Sequence, residues 1–525
     1  MSINTYTFFL LILIFFLCLN LISLFGGLDF TDTFWHINIA NYYFDKQSFI
    51  KSDIDQFILQ WQKDNNFLYN FEKRISFHYL SSFLTFYFFS ISDTVLVSRI
   101  LPFFSFSLII YIISIKNYGF NDLFIKLFLF TAIIGYLPCT ISFDYFTVLL
   151  VALFGLFISK FEEKKENVYL FLIFIILNLS FFVRFQNFFM IFVSFIFLHR
   201  QKINFKILIL MHLLPILLLT TLIFGADFFS VTYKLENTEH SLSNIFNNYL
   251  KDLPLFIISS LFTIPIIFLL LKSNYVIKFG CAIFIIFCLI YFFGSDYNWD
   301  YRIILSSFLI SIIISNIIVN RKKVLQFITL LLTVFIFPIG SATGLFKLSY
   351  GFLLSGIVYE NLNRGFQRVF ISLFAITLPF TTFYKLSYGY EDVGVLYANS
   401  SYNDSKLFGI RSFEIRSNYV NQIQKTIIDL QSNNYHILIG GRTSHLFTFL
   451  NSTIPLTVEF YQQDLDPNLF HDLMQTFPDK KFAYFHFDNY PEFYSTNLCS
   501  FEESVEGLGF KYNIKDGFDY LTYEN

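Results

Sequence analysis

The sequence predicts a polytopic α-helical membrane protein, with about 13 spanning helices and a small C-terminal α/β domain outside the membrane. Of its 525 residues, 55% are hydrophobic and only 14% are charged, whereas soluble domains carry about 25% charged residues. Apolar runs close to spanning length recur as far as residue 384. Beyond that point helical and strand patterns alternate, which is typical of an α/β domain. We therefore predict a transmembrane domain at 1–384 and an extracytoplasmic domain at 385–525.

The first apolar run, Phe8–Phe25, is too long for the core of a typical signal peptide and has no A-x-A cleavage site. We interpret it as an uncleaved first transmembrane helix. The predicted spans follow hydropathy along the chain and cover 7–25, 98–115, 122–138, 145–159, 168–183, 186–198, 205–224, 253–271, 277–294, 303–319, 324–338, 344–358 and 366–384.

Basic residues favour a cytoplasmic N-terminus. With that orientation, nearly every short inner connection carries Lys or Arg, as the positive-inside rule requires. These connections are 116–121, 160–167, 199–204, 272–276, 320–323 and 359–365. An odd number of spans then puts the C-terminus on the outer side.

Three outer segments are long: the first loop at 26–97, a second loop at 225–252, and the tail. The first loop contains an amphipathic stretch, His78–Ser92, which we expect to lie on the membrane surface.

The tail has recognisable local patterns. Val420–Leu430 has the spacing of an amphipathic helix, whereas Tyr435–Ile439 and Lys481–Phe487 are typical of buried strands. The first of these strands ends at Gly440-Gly441-Arg442-Thr443. That segment is either a tight strand-to-helix turn or a place where a helix N-terminus receives an anion.

Candidate catalytic residues open the first loop. Asp29 and Asp32 lie three residues apart, directly after the first apolar run, and Trp35 and His36 follow. Such carboxylates can act as a general base or bind an acceptor hydroxyl. They can equally cap a helix in a solvated loop. Trp35 is also typical of a membrane interface, and His36 could bind phosphate or polarise a hydroxyl.

Further charged residues fall on the same predicted outer face. Arg99, Arg184 and Arg302 each lie at the outer end of an apolar run, and Asp144 lies at another. Arginine suits the binding of a phosphate or pyrophosphate. The alternatives are snorkelling of the side chain or a local ion pair, for which Asp300 is close to Arg302. An acid at membrane depth needs a partner, although simple solvation at the interface would also account for Asp144.

The composition excludes some functions. A net charge of −2 gives no support to nucleic-acid binding. Neither GxxxxGK[ST] nor GxGxxG occurs, so no nucleotide site is predicted on the inner face. Any energy for a reaction would then come from a lipid-linked donor.

The order of these features resembles the GT-C superfamily of integral-membrane glycosyltransferases, which includes protein O-mannosyltransferases and lipid A aminoarabinose transferases. The resemblance covers roughly residues 1–320. It is carried by Asp32-Thr33-Phe34-Trp35-His36, Ser98-Arg99-Ile100-Leu101-Pro102, Asp144, Val183-Arg184-Phe185-Gln186 and Tyr301-Arg302. Thr33 departs from the pattern, because many members have a second acid there, and Asp29 could supply that carboxylate instead.

The resemblance implies transfer of a sugar from a polyprenyl-phosphate-linked donor to a glycan, lipid or protein acceptor, with an inverting step. The implied roles are catalysis for Asp32 and, as runner-up, Asp29; donor or lipid-phosphate binding for Arg184, Arg302, Arg99 and His36; and acceptor or carrier contact for Asp144 and Trp35. A divalent cation (Mg²⁺ or Mn²⁺) is left open, with Asp29, Asp32 and Asp144 as its ligands if one binds. No other cofactor is predicted.

Two other functions remain open. Polysaccharide polymerases and O-antigen ligases also combine outer arginines with lipid-linked donors, but they usually place the critical residues in a late loop. Lipid or solute transporters carry charges near the bilayer midplane and show inverted repeats, neither of which is evident here. For each of these functions we expect a multi-pass integral membrane protein, in contact with the lipids of a bacterial inner (plasma) membrane.

Overall fold

The computed structural model is mostly helical. It describes the placement of residues 3–28, 32–45, 50–65, 79–113, 131, 143–183, 205–224, 242–272, 300–320, 324–336, 338, 344–387, 394–441, 444–454, 456, 467–487, 509–515 and 518–524.

The chain forms two compact units. The first comprises Met1–Leu21, Phe103–Pro138 and Phe143–Lys385, and the second comprises Ile22–Pro102, Cys139–Ser142 and Leu386–Asn525. The second unit thus joins the predicted first loop to the C-terminal tail. The predicted domain boundary at 384/385 takes no account of this grouping, because hydropathy along the chain carries no information on which distant segments pack together.

The first unit is built from apolar helices. Its helices, including those that continue into the second unit, are α1 (Ile3–Ile22), α5 (Val95–Ile113), α6 (Phe143–Lys164), α7 (Asn167–Val183), α8 (Phe205–Phe224), α9 (Leu242–Lys272), α10 (Asp300–Val319), α11 (Val324–Ile336), α12 (Ser355–Asn361) and α13 (Arg364–Ser387), with a 3₁₀ segment at Gly344–Leu354. Helix α6 packs on α7, and α9 packs on α10. Asn20 Nδ2 donates a buried hydrogen bond of 3.0 Å to Thr382 Oγ1 and so joins α1 to α13.

The prediction of about 13 spanning helices is wrong for the part of the chain that the structure describes. There, two helices are long and apolar enough to cross a membrane, Phe246–Lys272 and Arg302–Val319. A third is added if the bent pair Tyr79–Ser90 and Val95–Phe104 counts as one span. The two full-length helices correspond to the predicted spans 253–271 and 303–319, which are therefore confirmed as apolar helices of spanning length.

Helix length accounts for part of the correction. The predicted span 324–338 is a helix of 13 residues, which reaches only about 20 Å at about 1.5 Å per residue, against a hydrocarbon core of about 30 Å. The predicted span 344–358 is a 3₁₀ segment followed by the seven-residue α12. The predicted spans 122–138, 186–198 and 277–294 lie mainly or wholly outside the described residues.

The second unit is an α/β structure. Its elements are α2 (Asp32–Phe44), α3 (Asp53–Asp64), α4 (Tyr79–Ser90), β1 (Ser400–Ser401), a 3₁₀ turn at Ser405–Leu407, β2 (Arg411–Ser412), α14 (Glu414–Ser432), β3 (Tyr435–Gly440), α15 (Ser444–Asn451), α16 (Pro467–Thr476), β4 (Lys481–His486), β5 (Lys511–Lys515) and β6 (Phe518–Tyr523). The predicted strands at 435–439 and 481–487 and the predicted helix at 420–430 are confirmed by β3, β4 and α14.

A four-stranded sheet organises this unit, with the strand order β3-β4-β6-β5. Strands β3 and β4 run parallel, in a register that pairs Tyr435 with Lys481 and Gly440 with His486. The pairs β4–β6 and β5–β6 are antiparallel. Strand β3 ends in four consecutive buried residues, as expected for a strand covered on both faces.

First-loop residues complete the core of this unit. The rings of Phe34 and Phe89 lie 5.3 and 5.2 Å from the ring of Phe449 in α15, measured between centroids. All three side chains are buried, together with Ile37 and Ile439. Burying large aromatic side chains is a principal source of stability, so the tail depends on the first loop for its core.

Lysine 406 caps the end of α15. Its Nζ donates to the carbonyl oxygens of Phe449 (2.8 Å) and Leu450 (3.3 Å) and to Ser452 Oγ (3.2 Å). A cation at a helix C-terminus is favoured by the helix dipole. Burial lowers the pKa of the Lys406 amine, with Asp93 and Asp404 acting in the opposite direction.

Candidate active site at the entrance to the first loop

The predicted catalytic segment leads directly into α2. Asp32 is the first residue of this helix, a position at which acids are favoured by the helix dipole. Asp29 lies outside the described residues, and so does the side chain of Asp32. The residues on either side of the segment make defined contacts within the second unit.

Arginine 99 anchors the approach to this segment. Its Nη1 donates to the carbonyl oxygens of Leu24 (3.2 Å) and Gly26 (3.1 Å), and its Nη2 donates to that of Gly27 (2.9 Å). The Arg99 side chain is only 4% exposed. A guanidinium committed to three main-chain carbonyls favours a positioning role, and the predicted contact of Arg99 with a lipid phosphate stays a prediction.

The two glycines ahead of the carboxylates are sterically required. Gly27 has a φ of +59°, in the left-handed region that favours glycine, and its N–H donates to the Arg411 carbonyl oxygen at 2.9 Å. A Cβ on Gly26 would lie 2.6 Å from the Val395 backbone nitrogen. Backbone atoms of the tail therefore lie directly against Gly26 and Gly27, which precede Asp29 and Asp32.

The aromatic pair that follows Asp32 is buried. Trp35 is 6% exposed and His36 is 4% exposed, and their rings meet edge to face with centroids 4.7 Å apart. Thr33, the residue that departs from the superfamily pattern, is also buried. These three buried side chains pack α2 into the core of the unit. The proposed contacts of Trp35 with an acceptor and of His36 with a donor stay predictions.

Asn38 links α2 to the tail, and its importance is not evident from the sequence. Its Nδ2 donates to the His445 carbonyl oxygen and to Thr448 Oγ1, each at 2.8 Å. Asn38 and both partners are fully buried. An Asn inside a helix carries no sequence signal of this kind, because its partners lie about 400 residues further along the chain.

An acid–histidine pair also joins the first loop to the tail. His436 Nε2 lies 3.6 Å from Asp55 Oδ1, and Asp55 Oδ2 accepts hydrogen bonds from Ser52 Oγ (2.9 Å) and the Lys51 amide (3.1 Å). Burial lowers the pKa of His436, while the Asp55 carboxylate opposes that shift. The hydrogen bonds from Ser52 and Lys51 use the Asp55 carboxylate to stabilise the start of α3. This favours a structural role for the pair.

The remaining predicted site residues belong to the first unit or lie outside the description. Asp144 is the second residue of α6, and its side chain is not among the described ones. Arg302 is a half-buried residue of α10, and its carbonyl accepts a hydrogen bond from Ser306 Oγ. Arg184 lies outside the described residues. Their predicted roles toward donor and carrier stay predictions.

Among the described residues, no group of three or more His, Cys, Asp or Glu side chains is arranged to hold a metal ion. Asp29 and the side chains of Asp32 and Asp144 are not part of that description, so the prediction of a divalent cation is not tested by it. Comparison with known proteins yielded no matching protein family, curated protein or solved structure.

Proposed function

We propose that this protein is a membrane glycosyltransferase of the GT-C class, which transfers a sugar from a polyprenyl-phosphate-linked donor to a glycan, lipid or protein acceptor. The observation that supports this most directly is the set of hydrogen bonds that holds the start of the first loop. Arg99 holds Leu24, Gly26 and Gly27 through three hydrogen bonds, and α2 begins five residues after Gly27, at Asp32.

A base in a transferase must be held in position relative to both substrates, because orientation accounts for a large part of the rate enhancement. A segment anchored by buried hydrogen bonds on one side and by a buried helix on the other meets that need. This supports Asp32 as the catalytic carboxylate, with Asp29 as runner-up.

The reaction balances without a nucleotide. The acceptor hydroxyl oxygen forms a bond to the anomeric carbon while the bond from that carbon to the phosphate oxygen breaks. The carboxylate takes the hydroxyl proton, and the lipid phosphate leaves with the bonding electrons. In this scheme Arg184 and Arg302 neutralise the leaving phosphate, and a single displacement of this kind inverts the anomeric centre.

The protein would work within a membrane, at its outer face, with a bacterial inner membrane as the preferred location. The described helices of spanning length support residence in a bilayer. Lipid-phosphate donors are confined there, so the enzyme and its donor would share one compartment.

Mass spectrometry of lipids that co-purify with the protein in mild detergent tests the proposal. Wild type, Asp32→Asn and a control, Asp53→Asn, would be compared. Asp53 is an exposed acid of the same loop, in the first turn of α3. We expect a polyprenyl-phosphate sugar to be enriched in Asp32→Asn alone, because this variant binds the donor and does not consume it.

Other lipids would point elsewhere. A polyprenyl-pyrophosphate oligosaccharide would favour a polysaccharide polymerase or ligase. Absence of any polyprenyl lipid from all three samples would contradict the transferase and leave a transporter as the better hypothesis.

A further inference from the structure

In helix α4 of the second unit, three of the four buried residues carry hydroxyl groups, whereas two of the three exposed residues are aromatic. Ser81, Ser82 and Thr85 are each at most 3% exposed, whereas Phe83 and Tyr87 are 44% and 54% exposed. A helix on a water-facing surface normally has the opposite pattern. Small hydroxyl residues allow close packing on α2, and the aromatic residues are left facing outward.

Helix α3 of the same unit has the normal pattern. Its exposed positions include Gln56 and Lys63, whereas Ile54, Ile58 and Trp61 are buried. The inversion is therefore not shared by every helix of the unit. Water is the ordinary environment for α3 but not for the outer face of α4.

More exposed apolar residues gather where α1 ends and α5 begins. Phe408 is 73% exposed. A Cβ built on its neighbour Gly409 would lie 2.5 Å from Leu96 Cδ2 and 3.9 Å from Phe25. The turn that carries Phe408 therefore lies close to Leu96 and Phe25.

A second turn of the tail lies close to Gly26. Leu396 and Tyr397 are both 52% exposed, and the backbone nitrogen of the preceding Val395 approaches the Cα of Gly26 closely enough to exclude a side chain there. Ile22, the last residue of α1, is 45% exposed as well.

The direction of α4 fits a membrane surface. The chain bends by 116° between Tyr79–Ser90 and Val95–Phe104. If the second of these segments enters the bilayer along its normal, α4 lies 116° − 90° = 26° from the membrane plane. Interfacial helices lie close to that plane, with apolar and aromatic residues in the boundary between headgroups and acyl chains.

We propose that these exposed apolar residues of the second unit form an interfacial surface, the apolar rim, that inserts into the headgroup–acyl boundary of the lipid bilayer. The apolar rim consists of Phe83, Tyr87, Ile91, Leu396, Tyr397 and Phe408. Helix α4 is separated by only four residues from the apolar segment Val95–Phe104, and the two together are long and apolar enough to cross a membrane. This favours lipid over a second copy of the chain as the occupant of the apolar rim. The inference requires only that the protein resides in a membrane and does not depend on the transferase reaction.

Hydroxyl-radical footprinting of the wild-type chain in lipid nanodiscs tests the apolar rim. Tyr87 is 54% exposed and Tyr512, on β5, is 42% exposed. If both side chains faced water, Tyr87 would be oxidised faster. The apolar rim predicts the reverse order, because lipid shields Tyr87 while Tyr512 stays in water. Faster oxidation of Tyr87 would overturn the proposal.

A nitroxide label at position 87 separates lipid from protein as the shield. In a background free of the five native cysteines, Tyr87→Cys would be compared with Gln56→Cys on α3. Lipid makes the label at residue 87 more accessible to oxygen than to a water-soluble nickel complex, and the label at residue 56 shows the opposite preference. Exclusion of both relaxants from residue 87, or a pattern like that of residue 56, would overturn the proposal. Phe408→Cys gives the same test if the first variant does not fold.

Discussion

Replacing Arg99 distinguishes a structural arginine from a ligand of the donor phosphate. In Arg99→Met the carbonyls of Leu24, Gly26 and Gly27 lose three hydrogen bonds from a buried charged group. Hydrogen bonds to charged groups contribute roughly 1.5–3 kcal/mol each and do not simply add. We expect the free energy of unfolding of the second unit to fall by at least about 3 kcal/mol.

The assay is thermal unfolding of the purified protein in detergent, followed by intrinsic fluorescence. A loss of about 3 kcal/mol lowers Tm by about 6–12 °C in a unit of about 150–250 residues. Arg99→Lys keeps the charge but loses the planar fork of donors, so we expect it to recover less than half of this loss. Lys63→Met, at an exposed position of the same unit, serves as the control and should leave Tm unchanged. An unchanged Tm in Arg99→Met, together with loss of co-purified lipid, would refute the structural role and favour phosphate binding.

Two further predictions concern the packing of α2 against α15. Burial lowers the pKa of His445 to about 3, so the unfolded chain binds a proton between about pH 6.5 and 3 while the folded chain does not. The free energy of unfolding therefore falls as pH falls through that window, by up to about 1.4 kcal/mol per pH unit. Chemical denaturation of His445→Gln should show a shallower dependence of this free energy on pH. His471→Gln, at an exposed position, should leave the dependence unchanged. Asn38→Ala removes two buried hydrogen bonds and should destabilise the protein by about 1–3 kcal/mol. Asn418→Ala, at an exposed helical position, should change stability little. Equal urea midpoints for wild type and Asn38→Ala would show that the hydrogen bonds to His445 and Thr448 contribute nothing.

Local patterns in the sequence predicted several elements correctly. Strands β3 and β4 and helix α14 follow short periodic patterns that are bounded by turns, and both helices of spanning length follow long, predominantly apolar runs. In each case the residues that decide the structure are neighbours along the chain.

Two of the predicted spans were wrong because apolar runs report burial and not helix length. The runs at 324–338 and 344–358 are as apolar as the two helices of spanning length, yet they form a short helix and a 3₁₀ segment that both pack on α10. In a chain with 77 Phe residues, hydropathy alone does not distinguish a helix buried in the protein core from a membrane-spanning helix.

The candidate site was predictable only in part. The position of Asp32 at the start of a helix could be inferred from the residue itself. The anchoring of the first loop by Arg99 could not, because the partners of this arginine are main-chain carbonyls, which carry no side-chain signature. The pair Asp55–His436 was missed because its members lie far apart in the sequence and meet only through tertiary packing.

The central claim, sugar transfer that depends on Asp32, is tested most directly in proteoliposomes loaded with polyprenyl-phosphate sugars and the other lipids of a bacterial membrane extract. Mass spectrometry would follow the conversion of polyprenyl-phosphate sugar to polyprenyl phosphate with wild type, Asp32→Asn and Asp53→Asn. We predict conversion by wild type and Asp53→Asn, and none by Asp32→Asn at equal folded protein. Equal conversion by all three would contradict the role of Asp32, and no conversion by any of them would contradict the transferase.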